Sequence, residues 1–152
     1  MKYLIFVLII VLIYGCANTT QTTVNGSRLE IKYYRLNKTP LPSMDSYIKT
    51  YADTCSFPPS LVQKVKPSYL PIAIRAGVEG DVVVRIFVNS DGQVYKSQIV
   101  RSDAELFNKD AIDATMQWKF TPFIENCVKT EFIAEFPICF RLSNRYPNII
   151  IP

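Results

Sequence analysis

Histidine is absent from this chain. That removes the commonest general base near neutral pH and the commonest zinc ligand. No Ser-His or Cys-His arrangement is possible without it, and no metal cluster accompanies the candidate carboxylates in the sequence. An excess of positive charge on the domain-forming stretch is missing as well. The net charge is +4, yet residues 57–142 hold ten Lys/Arg and ten Asp/Glu, and the surplus lies on Lys2, within residues 16–56 and on Arg145. Without a basic stripe the chain does not read as a nucleic-acid binder. A membrane-length apolar run is lacking too. The longest, Tyr3 to Tyr14, has twelve residues, about 18 Å as a helix against a hydrocarbon core of about 30 Å. The carboxylates that could invite a catalytic reading, Asp110, Asp113, Glu131 and Glu135, have no activating partner in the sequence and read as solvated charges. No catalytic residue, cofactor or metal is expected.

What is present begins with "MKYLIFVLIIVLIYGC". One positive residue, an apolar run of signal length and a small residue before a cysteine are the parts of a secretory signal. The stretch resembles bacterial lipoprotein signals, although Tyr14 departs from the small residue favoured there. The resemblance implies cleavage after Gly15 (residues 1–15 as signal), acylation of Cys16 and, with Ala17 rather than Asp following, the periplasmic face of the outer membrane. The alternative is an uncleaved single-pass anchor in the inner membrane, extended through Gly15, Cys16 and Ala17.

Residues 16–56 read as a tether. "ANTTQTTVNGS" is polar and aperiodic. Leu29, Ile31 and Tyr33 alternate over one short strand. Met44, Tyr47, Ile48 and Tyr51 fall at helical spacing, with Ser43 as N-cap, and predict a helix over 44–53.

Residues 57–142 carry the domain, and 143–152 form a tail. "PIAIRAG" predicts a two-turn helix over about 70–76, with Pro71 in its first turn and Gly77 just past its end. "DVVVRIFV" is a strand with Val82, Val84, Ile86 and Val88 on one face. "NSDG" is a hairpin turn in which Gly92 takes positive φ. The alternation then slips by one in the return strand, which a β-bulge explains. In "SDAELFNKDAIDATMQW", Ser102 and Glu105 have the spacing of a capping box. Ala104, Phe107, Ala111, Ala114 and Trp118 make one apolar stripe, with Trp118 as core anchor. "VKTEFIAEFPICFRL" alternates from Val128 to Leu142 as a half-buried antiparallel strand. The order gives an α+β fold: a three-stranded antiparallel sheet with two helices on one face.

That order, with "PSYLPIAIRAGVEG", "VNSDGQV", "VRS", "WKFTP" and "FPICFRL", resembles the C-terminal domain of the TonB family of periplasmic energy transducers over roughly Pro58 to Leu142. The resemblance implies a non-enzymatic module that binds an extended "TonB box" of outer-membrane transporters by strand addition. Contacts come also from a tyrosine-proline motif, which stands here as Lys66, Pro67, Ser68, Tyr69, Leu70 and departs from the family's at its first and last positions. The family's intramembrane histidine and long periplasmic spacer are not present. The implied role is an envelope protein-binding module; the alternative is a compact inner-membrane transducer. The expected partner edge is the last strand over Val128, Lys129, Thr130, Glu131, Phe132, Ile133, Ala134, Glu135 and Phe136, joined by Lys66, Pro67 and Tyr69. A second copy of the chain, or residues 29–36 of the same chain, would be competing occupants of that edge. Cys127 and Cys139 sit too far apart on one extended strand to be bonded. With Cys16 acylated, at most one intrachain bridge forms, and it uses Cys55.

Overall fold

The computed structural model describes residues 22–24, 27–29, 31–41, 55–143 and 146–152. The signal, Cys16 and the helix expected over 44–53 lie outside the described residues. In chain order the strands are β1 (Thr22–Val24), β2 (Ser27–Leu29), β3 (Lys32–Arg35) and β4 (Leu61–Gln63). Helix α1 (Pro71–Ala76) is followed by β5 (Gly80–Val88) and β6 (Val94–Ser102). A 3-10 turn (Glu105–Phe107) leads into helix α2 (Asn108–Thr115). Then come β7 (Lys119–Phe120), β8 (Phe123–Glu125), β9 (Val128–Thr130), β10 (Phe132–Ser143) and β11 (Tyr146–Ile150).

The fold is α+β, with an antiparallel sheet at its centre. β10 pairs β5 over nine residues, from Phe132↔Val88 to Phe140↔Gly80, and β5 pairs β6. This is the expected three-stranded core. Two further strands enlarge it: β3 pairs β10 over 132–135, and β11 pairs β10 over 139–143. The sheet therefore has five strands, and β10 lies inside it rather than at its edge. The tail is one of the added strands, and part of the supposed tether is the other.

Local chemistry explains most of the elements. Pro71 opens α1, where its missing N–H costs nothing, and Gly77 closes it at φ 67 with its N–H donating to the Ile74 carbonyl. At the hairpin, Asn89 Oδ1 accepts from the amides of Asp91 and Gln93, and Gly92 has φ 85. A Cβ there would stand 2.0 Å from the Phe120 carbonyl oxygen, so the position needs glycine twice over. The slip in β6 is a pair of register shifts, one at Phe87/Val88 and one at Val83/Val84.

The helix after β6 departs from expectation at its start. Ser102 belongs to β6, no side chain caps the turn, and the Ser102 hydroxyl has no hydrogen-bond partner. The strand continues through the serine that was to be the cap because Arg101 and Ser102 still find partners on β5, in Val83 and Val82. The apolar stripe nevertheless faces inward. Phe107, Ala111 and Ala114 are buried, and so is Trp118, three residues past the helix end. Trp118 is 1% exposed, meets Phe136 edge-on at 5.1 Å and donates Nε1–H to the Val65 carbonyl at 2.7 Å. It is the core anchor that the spacing predicts.

The last strand needed two corrections. It does not run unbroken from Val128: Asn126 and Cys127 take positive φ and fold β9 back on β8 as a hairpin, and Glu131 separates β9 from β10. Thr130, the one polar residue in the alternating set, is the last residue before that break. Nor is β10 half-buried. Its even positions 132–140 fill the main core, and Ile133, Glu135 and Cys139 on the opposite face are buried as well. Cys127 is bonded to Cys55, with Cα atoms 5.1 Å apart, and not to Cys139. This bridge ties the segment before β4 to the β8–β9 turn.

Candidate functional site

The outer side of β10, away from β5, is the edge to which the sequence points, and two strands of the chain itself occupy most of it. β3 runs antiparallel along it, with Arg35 opposite Phe132 and Lys32 opposite Glu135. β11 runs in the same direction further along, with Ile150 opposite Cys139 and Tyr146 opposite Ser143. Between them Phe136, Pro137 and Ile138 have no ladder partner on this side among the described residues. Pro137 has no amide to donate there.

The hold on β3 is specific. Tyr33 packs against Phe132 and Phe136, with ring centroids 6.2 Å apart in both cases. Burial pushes its phenol up to about 12. Tyr34 donates its hydroxyl hydrogen to Glu135 Oε2 at 3.3 Å, and Arg85 donates to the other oxygen at 2.8 Å. Arg35 clasps Glu125 through Nε at 3.0 Å and through a terminal nitrogen at 2.5 Å. A turn then brings the chain back along the outer side of β3. The Arg35 amide donates to the Thr39 carbonyl, the Leu41 amide to the Tyr33 carbonyl, and Pro40 bridges to Tyr34. Residues 32–41 thus form a strap whose own free edge ends in a proline.

β11 is held differently. Ile149 and Ile151 pack on the core, Ile150 covers Cys139, and Tyr146 at the start is 76% exposed. Lys64 donates to the Ile151 carbonyl at 3.0 Å. Burial, and Lys66 after it, lower the Lys64 pKa.

The expected partner residues separate into three groups. Val128, Lys129 and Thr130 stand on β9, off the main sheet, with Lys129 paired to Asp91 at 3.2 Å. Glu131 lies between the strands and accepts from the Tyr95 hydroxyl at 3.5 Å. Phe132, Ile133, Ala134 and Glu135 are paired on both sides, so over 132–135 the expected open edge is filled by residues 32–35, within the segment 29–36 named as a competing occupant. Glu135 is no solvated charge but a buried carboxylate held by Arg85 and Tyr34. Phe136 has its side chain in the core. In the third group Lys66 is exposed, Pro67 is buried and Tyr69 is committed internally. Its ring meets Phe107 and Phe140 edge-on, and its hydroxyl donates to the Val78 carbonyl at 2.6 Å. The 64–69 segment therefore adjoins the β10–β11 end of the edge and not β9.

Arg35, Glu125, Tyr34 and Arg85 escaped the sequence reading. The alternation in "IKYYR" was the available signal for the strap; nothing in the sequence paired its arginine with Glu125. The other long edge, β6, is guarded by Lys96, Arg101 and its bulges. Among the described residues no three His, Cys, Asp or Glu are grouped to hold a metal ion, and no helix is long and apolar enough to cross a membrane.

These features define a class: a small α+β domain whose last long strand takes extended segments along its outer side. Residues 65–142, just over half of the chain, match the family described as Gram-negative bacterial TonB protein C-terminal, and the chain belongs to that family. It is 36% identical over 87 residues to "Protein TonB" of Vibrio cholerae serotype O1, an alignment covering 56% of this chain and 36% of the relative. With "Protein TonB" of Xanthomonas campestris pv. campestris it shares 32% over 78 residues, covering 51% and 35%. The chain thus spans about a third of the length of the curated relatives it matches. Among solved structures, the solution NMR structure of the Pseudomonas aeruginosa TonB CTD superposes with a TM-score of 0.49 at 23% identity, covering 56% of this chain and 87% of that one.

Proposed function

We propose that the protein is a non-catalytic binding module of the cell envelope, held by an acylated Cys16 at the periplasmic face of the outer membrane. It docks an extended segment of an envelope protein, such as the TonB box of an outer-membrane transporter, along the outer side of β10. The observation that carries this reading is that β10 already holds two extended antiparallel strands there, drawn from opposite ends of the chain. An edge that pairs with two different sequences along its length offers its backbone groups for strand addition, with side-chain contacts adding selectivity. The partner enters by replacing one of them.

Titration calorimetry of the full chain with a synthetic TonB-box peptide tests the docking. Saturable one-to-one binding is expected, and no heat at millimolar peptide would overturn it. The address is tested separately. Labelled palmitate should enter the wild type and not Cys16→Ser, whereas equal labelling, or an intact Met1 in the membrane protein, would favour the uncleaved inner-membrane anchor.

A further inference from the structure

We infer that residues 32–41 are a gate, and that the strap is also a template for what the gated edge binds. The inference rests on the strand-addition reading above and deepens it.

A strand that merely protected an edge would need only backbone pairing and a guarded outer side. The strap has more. Three of its side chains alternate correctly for a bound peptide: Tyr33 inward onto Phe132 and Phe136, Tyr34 outward to Glu135, and Arg35 to Glu125. Glu125 is half-buried and, among the described residues, Arg35 is its one ion-pair partner. When the strap leaves, that carboxylate loses its cation and an apolar slot opens between two phenylalanines. The occupant that restores both is an extended antiparallel segment with an aromatic residue and, two positions on, a basic one. It must also outcompete the strap. Residues 42–54 join Leu41 to the disulfide-anchored Cys55. On so short a connection an intramolecular strand competes at an effective concentration on the order of millimolar. With the strap's own sequence pairing at about 10 μM or tighter, a competing segment is weakened about 100-fold or more while the strap is closed.

Charge exchange between Arg35 and Glu125 tests this without touching the core. The probe is a fluorescent peptide of residues 30–41, EIKYYRLNKTPL, added to the full chain. Arg35→Glu sets two carboxylates against each other, opens the strap and leaves Glu125 in place for the peptide's arginine. Uptake at least about tenfold tighter than by the wild type is expected, and a peptide carrying Arg35→Glu should bind this variant about tenfold more weakly. The double variant Arg35→Glu, Glu125→Arg should close the strap again and exclude the native peptide. Equal uptake by wild type and Arg35→Glu, no uptake by Arg35→Glu, or failure of the double variant to restore exclusion each overturns the inference. A chain that takes up the strap peptide but no TonB-box peptide refutes the proposed function and leaves the gate standing.

Discussion

Replacing Trp118 by alanine would remove the largest fully buried side chain, which lies at the joint between the helix layer and β10. Large-to-small truncation of a buried aromatic costs about 3–5 kcal/mol. The Val65 carbonyl would also lose its indole donor at 2.7 Å, and an acceptor left buried adds about 1 kcal/mol or more. A total of about 4–6 kcal/mol is a large part of a small domain's margin of about 5–15 kcal/mol. At a urea slope of about 1–3 kcal/mol/M, the midpoint should fall by about 1.3 M or more. Far-UV circular dichroism is the appropriate probe, since the variant has no other tryptophan. Trp118→Phe separates the contributions, because it keeps an aromatic edge against Phe136 and loses the N–H. A midpoint shift below about 0.5 M for Trp118→Ala would refute the reasoning and mean that the indole is not in the core in solution.

Three other outcomes follow from the same structure. Tyr33 has its phenol raised from 10.0 to about 12 by burial, so its contribution to stability is complete below pH about 10 and disappears as pH climbs through about 12. Tyr33→Phe should therefore lose less stability than the wild type between pH 9 and 11.5 in paired urea titrations, and identical losses would contradict the burial. Gly92→Ala places a methyl 2.0 Å from the Phe120 carbonyl oxygen at φ 85 and should cost more than about 2 kcal/mol, with an unchanged urea midpoint counting against the turn as described. The bond between Cys55 and Cys127 closes a separation of 72 residues, for which loop entropy gives about 4 kcal/mol. The double serine variant should unfold at clearly lower urea, and equal midpoints would show that the bridge does not form.

The parts of the fold legible in the sequence are those that local chemistry dictates. Pro71 and Gly77 bound α1, the Asn89–Gly92 turn sets the hairpin, and the stripe from Phe107 to Trp118 faces inward because its spacing allows nothing else. The capping box failed because sheet pairing at Ser102 outweighed a local cap. The partner edge is legible only in part, for a long-range reason. Alternation identifies a strand and its faces, but not which distant segment lies beside it. Residues 29–36 therefore stand in the sequence as one competing occupant of β10 among several, the structure selects 32–35 from them, and nothing in the sequence announces β11. The pairing of Arg35 with Glu125, 90 residues apart, leaves no periodic trace at either end. Glu135 looked solvated for the same reason, since its burial depends on Arg85 and Tyr34 from two other strands.

Amide exchange on the full chain, with and without a TonB-box peptide, tests the central claim most directly. In the free chain, amides of β10 over 132–135 should already be protected, with the strap as their cover. On binding, the account predicts that amides of 32–35 become exchangeable while those of 132–135 stay protected, because one strand has replaced another on the same edge. Binding that leaves 32–35 and 146–150 as protected as before, with new protection along β6, would contradict it.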